Sequence, residues 1–564
     1  MKVSTPMVTR SLAMAALMAA GSMFASAQTF VQNGIVYKVN KTNVEVQKAD
    51  AKLTDTSVPA PAAYTGAIKV PAKVNYEGKE YTVSKIGSAF KATQITSFEM
   101  EAGGGIKIER GAFQDCVKLV SVQLPSDASS MAGDVFKNDS LLAEVTIPGG
   151  IGEIASATFT GCVSLKKLVL ADGETPLAWQ LATFGTSAPI EELVMYRPFA
   201  DKYSDMSSLP LRNCKNIKKA TIGGHCTALP ASFFENATNF NEIVFEGEMT
   251  SIGTNVFAAT GLTEFTFPVG PTTVSSGLFM NCAQLKKVTL NDAITLIDAM
   301  AFQNSGLEEI NLPATLKTIG VLAFSGSKIA GNLVLPENVA TINNQAFANT
   351  GITGITIPAT TATLGSVVFM GCANLANFSV AEGNEVYASS ANGDYIANKV
   401  TNTLEAYAPA CAATEFTGDF PAIADYAFYG AKNLKAINLP NCATWGDYSL
   451  NGTGVEAIAL GGTVGRYVAA NCANLAELTL STAEIPFGVA ADCPELAKVN
   501  ITRNVCVVKQ DAFKNCVKVT DLNFGNILAI LEADCFAGSG LKSITVGAYY
   551  PAAMAEGVAV EHQQ

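Results

Sequence analysis

Thirteen cysteines and two histidines are the residues of this chain best suited to nucleophilic or metal chemistry. A thiol beside an imidazole can act as nucleophile and base, and Cys/His clusters at short spacing hold zinc. Neither pattern is present. His225 and Cys226 are adjacent, so on a strand they point to opposite faces, and His562 stands alone near the C-terminus. None of the usual zinc-ligand spacings occurs. Gly103-Gly104-Gly105 and Gly223-Gly224 lack the Lys-Ser/Thr of a phosphate loop and read as turns. Scattered Asp/Glu pairs do not define a glycosidase site. The expectation is a chain that is not an enzyme, with no catalytic, metal or cofactor-binding residue.

The cysteines obey a different rule. Cys116, Cys162, Cys214, Cys282, Cys372, Cys472, Cys493 and Cys516 each stand three residues after a common slot, where other copies carry Asp, Asn, Ser or Thr. A small, mildly polar residue fits there, so buried free thiols are expected despite the export signal discussed below. Cys472, Cys493 and Cys516 fall in consecutive copies, where a spacing near 5 Å leaves a disulfide within reach.

The slot itself is usually Phe. It recurs about every 22–23 residues at Phe90, Phe113, Phe136, Phe159, Phe184, Phe234, Phe257, Phe279, Phe302, Phe324, Phe347, Phe369, Phe428, Phe513 and Phe536. Leu211, Leu450, Ala469 and Ala490 complete the series. A fixed period of this size marks a solenoid whose units stack on their neighbours. After each slot comes an aliphatic residue such as Leu285, then a strict alternation such as Ile310-Asn311-Leu312, often closed by Pro. That alternation is a short strand with one buried face, ended by proline.

The expected fold is therefore a β-rich solenoid of about 19 coils with a parallel strand ladder. The outward column Glu144, Lys167, Glu192, Lys219, Glu242, Glu264, Lys287, Glu309 offers lateral ion pairs worth a few tenths of a kcal/mol each. An Ile/Leu-Gly pair opens many copies, as at Ile319-Gly320 and Leu364-Gly365, and reads as a tight turn where a side chain would clash.

The phrase Ile-Gly-x-x-Ala-Phe-x-x-Cys-x-x-Leu-x-x-Val-x-Leu-Pro resembles the BspA-like leucine-rich repeats of secreted and surface proteins. The resemblance covers about residues 86–546 and loosens near 173–232 and 441–508. It implies a leucine-rich-repeat solenoid and, as in some members, adhesion to host matrix proteins or other microbes. It brings no catalytic residues with it.

The remaining segments divide the chain. Lys2 and Arg10 precede the apolar stretch 11–27, which ends Ala25-Ser26-Ala27, so residues 1–27 read as a secretory signal peptide. Residues 28–85 read as a small N-terminal β cap with turns at Asn33-Gly34 and Glu77-Gly78. The solenoid spans 86–380 and 422–546, interrupted by a β-hairpin insertion at 381–421, with a C-terminal tail at 547–564. Tyr387, Tyr395 and Tyr407 in the insertion are candidate binding residues, because loop tyrosines give contact area at low entropic cost; packing of the insertion is the competing role. The net charge of −12, without a basic stripe, disfavours nucleic acid. No later segment is apolar enough to span a membrane.

The function expected is that of an exported, non-catalytic adhesion protein, secreted or on the cell surface, holding a protein or glycoprotein such as a matrix protein, a mucin or another microbe. A periplasmic or envelope-associated scaffold, linked to glycan handling, is the alternative.

Overall fold

The computed structural model describes residues 28–185, 188–200, 211–505, 507–524, 530–546 and 559–562. The expected signal peptide, and the tail apart from residues 559–562, lie outside the described residues. The chain divides into two compact units, Met1–Glu248 and Met249–Gln564.

Each unit is a β-solenoid. In the first, parallel strands from Thr65–Val70 to Glu242–Phe245 form one eight-stranded ladder. Its register sets Glu144 beside Lys167, Lys167 beside Glu192, Glu192 beside Lys219, and Lys219 beside Glu242. The alternating charges pair sideways, with Lys219 Nζ 2.7 Å from Glu242 and Lys167 Nζ 3.6 Å from Glu192. The strands Thr29–Gln32, Ile35–Asn40 and Asn43–Val46 form an antiparallel meander. Asn33 and Gly34 both take positive φ at its first turn, as a two-residue hairpin requires.

The second unit repeats this build. In both units most coils contribute two strands to two separate ladders, the shorter strands pairing as Lys107–Ile108 does with Ser130–Met131 in the first. Alternating strands such as Lys287–Thr289 and Glu309–Asn311 form one face. Two-residue strands at Thr273–Val274, Leu296–Ile297, Thr318–Ile319, Thr341–Ile342 and Thr363–Leu364 form the other. The Ile/Leu-Gly pairs read as turns thus begin within a strand. The glycine after it is still sterically required: a Cβ on Gly320 would stand 2.6 Å from the Ala299 nitrogen, and one on Gly365 2.4 Å from the Asn344 nitrogen.

The slot residues make the spine. Phe279, Phe302, Phe324 and Phe347 are fully buried, with successive ring centroids 5.3–5.4 Å apart and nearly parallel planes. Phe90, Phe113, Phe136 and Phe159 do the same in the first unit at 5.5–5.7 Å. Ala469 and Ala490 occupy the slot where the spacing from Leu450 shortens to 19 and then 21 residues, since a smaller coil encloses less room.

The twelve cysteines among the described residues are all free. Those three after the slot are buried, and all but Cys214, which reaches Ala188, reach back to the slot carbonyl of the preceding coil: Cys116 to Phe90 at 2.9 Å, Cys282 to Phe257 at 2.9 Å, Cys516 to Ala490 at 2.9 Å. Cys472, Cys493 and Cys516 carry no disulfide, because side chains repeated by translation point the same way. Asp139 takes the same position after Phe136 and is completely buried, accepting the Cys116 N–H at 2.8 Å.

Candidate functional site

Beside each slot the backbone turns sharply, and a second hydrogen-bond ladder runs through the turns. The residue two before the slot, the slot residue and the residue two after it each donate an N–H to the next coil. Met300, Phe302 and Asn304 donate to the carbonyls of Val321, Ala323 and Ser325, each at 2.8 Å. Gln345, Phe347 and Asn349 donate to Ser366, Val368 and Met370 at 3.1, 3.1 and 2.7 Å. The flanking residues take positive φ, with Met300 at 57° and Asn304 at 53°. That is why Asn, Asp and Gly recur two after the slot.

After Phe369 this ladder stops. Val367, Phe369 and Gly371 have no acceptor for their N–H groups among the described residues. The chain leaves the coil path to form the antiparallel strands Tyr387–Ser389, Tyr395–Asn398 and Thr403–Tyr407. It rejoins at Tyr407, whose N–H donates to Ala427 at 2.7 Å, the bond a slot residue makes. Tyr407 therefore fills the aromatic slot of a coil, with its ring 5.2 Å from Phe428. Two residues on stands Pro409, which has no N–H and cannot adopt positive φ. The carbonyl of Tyr429 in the following turn accordingly receives no donor, and that of Asp425, opposite Glu405 in this pattern, also receives none among the described residues.

The interruption leaves a cleft of about 300 Å³, lined among others by Val367, Phe369, Glu405, Tyr407, Tyr426 and Tyr429. Glu405 forms no ion pair, and burial pushes its carboxyl above the ordinary range, against a hydrogen bond from Asn398. From Tyr426 a stack of half-buried rings runs away from the cleft: Tyr426 to Tyr448 at 4.9 Å, Tyr448 to Tyr467 at 5.2 Å, with planes within 15°. All three tyrosines precede the slot by two, at φ of 58°, 55° and 52°.

The tyrosines singled out from sequence are placed differently from one another. Tyr387 is buried, and its hydroxyl accepts the Leu364 N–H at 2.9 Å, which pins the insertion to the preceding coil. Tyr407 is buried in the slot, and only Tyr395 is half-exposed, packed edge-on against Phe416 and Phe420. Tyr387 and Tyr407 thus pack the insertion, the competing role given for them. The column Tyr426, Tyr448, Tyr467 went unread, although aligning the copies on the slot would have shown three tyrosines in register.

Other chemistry-bearing groups are engaged structurally. The three N–H groups of Gly103, Gly104 and Gly105 converge on one oxygen of Asp127 at 2.9, 2.8 and 3.0 Å. Burial raises the Asp127 pKa, but these donors more than offset it and hold it below the usual range. His225 Nδ1 lies 2.8 Å from Asp172, which raises the imidazole pKa, while Cys226 is buried and pushed up to about 12 by burial. No group of three or more His, Cys, Asp or Glu among the described residues could hold a metal ion. No helix among them is long and apolar enough to cross a membrane.

Among solved structures, this chain is similar to a leucine-rich cell surface protein of Faecalibacterium prausnitzii at 16% identity, covering 96% of this chain and 99% of that one, with a TM-score of 0.34. A leucine-rich repeat protein of Eubacterium ventriosum matches at 20% identity over 62% of this chain and 89% of its own, with a TM-score of 0.38. One from Bacteroides ovatus matches at 16% identity over 95% and 100%, with a TM-score of 0.30. No curated protein matches in sequence. The model of the BspA type leucine rich repeat region matches residues 82–193, 198–286, 260–376, 408–517 and 483–550. With most of its length so matched, the chain belongs to the BspA-type leucine-rich-repeat family.

Proposed function

We propose that this chain is an exported, non-catalytic binding protein that uses the outer surface of its repeats to adhere to a protein or glycoprotein. One observation carries the reading. Most thiols and the Tyr387 and Tyr407 phenols are used inside the coils, the thiols bonded to slot carbonyls and the tyrosines packed in the core, while the exposed faces repeat from coil to coil. A surface of that kind favours broad contact over a single reaction centre. Family membership and the apolar N-terminal stretch 11–27 support export, and the net negative charge favours partners other than nucleic acid.

The test is capture by the full chain of immobilised matrix proteins, mucins and whole bacteria, beside protease treatment of intact producing cells. Saturable capture and loss of the protein to external protease are expected. Failure to capture across the panel, with protection from protease, would favour the periplasmic scaffold instead.

A further inference from the structure

We propose that the cleft beside Phe369 takes up a peptide segment of a protein partner, carrying a basic side chain, whose main chain completes the interrupted turn ladder. This rests on the binding role proposed above and assigns it a place and a ligand class.

The hydrogen-bonding pattern is the first reason. Val367 and Phe369 present unpaired N–H groups two residues apart. Elsewhere donors at that spacing are met by alternate carbonyls of a neighbouring chain, as Leu322 and Phe324 are met by Asn344 and Ala346. In the same cleft, the carbonyls of Asp425 and Tyr429 lack donors among the described residues. A peptide main chain offers carbonyls and N–H groups in that alternation, which is how a strand is added to an open edge. A sugar offers hydroxyls without that repeat.

Charge and shape supply the second reason. Glu405 is half-buried and Asp425, whose carboxylate accepts the Asp447 N–H at 2.7 Å, lines the same cleft; neither forms an ion pair among the described residues. A Lys or Arg entering this cleft would pair with the Glu405 carboxyl, whose neutralisation is otherwise favoured by burial. Tyr426 and Tyr429, half-buried, add flat area against which the rest of a side chain can lie.

The experiment uses the full chain and an array of capped heptapeptides with Arg, Ala or Glu fixed at the central position, beside a glycan array. Arg-centred pools should be retained at least tenfold better than Glu-centred pools. Ser366→Trp, at an exposed position of the cleft wall, should reduce retention at least tenfold, and Glu405→Gln should erase the preference for Arg. On peptide binding, hydrogen exchange should slow at Val367 and Phe369 and stay unchanged at Phe302 and Phe324. Absence of peptide retention, equal retention by Ser366→Trp, or glycan binding alone would overturn the proposal. If Ser366→Trp still captures every macromolecule held by the native chain, the cleft assignment fails and the general binding role stands. If the native chain captures none, the role itself fails.

Discussion

The ring of Tyr467 lies over the bare α-carbon of Gly488, so closely that a Cβ there would come within 2.1 Å of the ring. The same phenol reaches 3.0 Å from an oxygen of Asp511, two coils away. Gly488→Ala should swing Tyr467 off this path, break the bond to Asp511 and strain a residue at φ 51°. A loss of about 1–2 kcal/mol is expected from the left-handed backbone and the hydrogen bond together. In a Tyr467→Ala background the same substitution should cost less, a coupling that denaturant titration of the four variants would measure.

Removing one rung of the aromatic spine should be far more damaging. Phe324 is fully buried between Phe302 and Phe347. Phe324→Ala should cost about 3–5 kcal/mol, since flanking coils held by backbone ladders cannot close the hole. Thermal unfolding followed by circular dichroism would show it. A loss below about 1 kcal/mol would mean that the coils collapse onto one another.

Asp139 makes stability depend on pH in the direction opposite to a paired carboxylate. Burial pushes its pKa up to about 9, against the Cys116 N–H that lowers it and with Asp115 adding to the rise. Between the unfolded value near pH 4 and the folded one, the folded chain holds the extra proton, so stability falls as pH rises across that window. Asp139→Asn should flatten the slope and gain at least about 1.4 kcal/mol at pH 8 relative to pH 4, the equivalent of one pKa unit. Equal slopes in the two proteins would show Asp139 charged in the fold.

Thiol chemistry should follow burial. Burial raises Cys162 to about 12 and Cys116 to about 11, so neither offers a thiolate at neutral pH. Cys411 is only half-buried and should react first with a disulfide reagent in the native chain, ahead of Cys442, whose thiol is pushed up to about 11 by burial. After denaturation the thiol count should be the same with and without reductant. A count that rises with reductant would reveal a disulfide.

Much of this architecture was legible because its signals are apolar and periodic. The Phe slot, the alternating strand after it, and the charge column from Glu144 to Glu242 follow from spacing alone. The second ladder was hidden because two residues, such as Thr341–Ile342, are too short to show a period. Arg197 looks like any surface arginine, yet it is fully buried and donates to the carbonyls of Pro148, at 2.9 Å, and Ile151. Burial lowers its pKa to about 10. The insertion at 381–421 was legible, but the cleft beside it was hidden for another reason: it is defined by backbone groups that lack partners, and Pro409, read against the Asn and Gly of other copies, marks only one of them.

That proline has a wider meaning for arrays of this kind. A single imino acid, placed where the chain elsewhere bends through a left-handed residue, removes the seam bond that would reach the Tyr429 carbonyl, while Tyr407 keeps its own bond to Ala427 and the interior filled. New recognition pockets can thus arise by deletion of bonds at one outer position, leaving the inherited interior untouched.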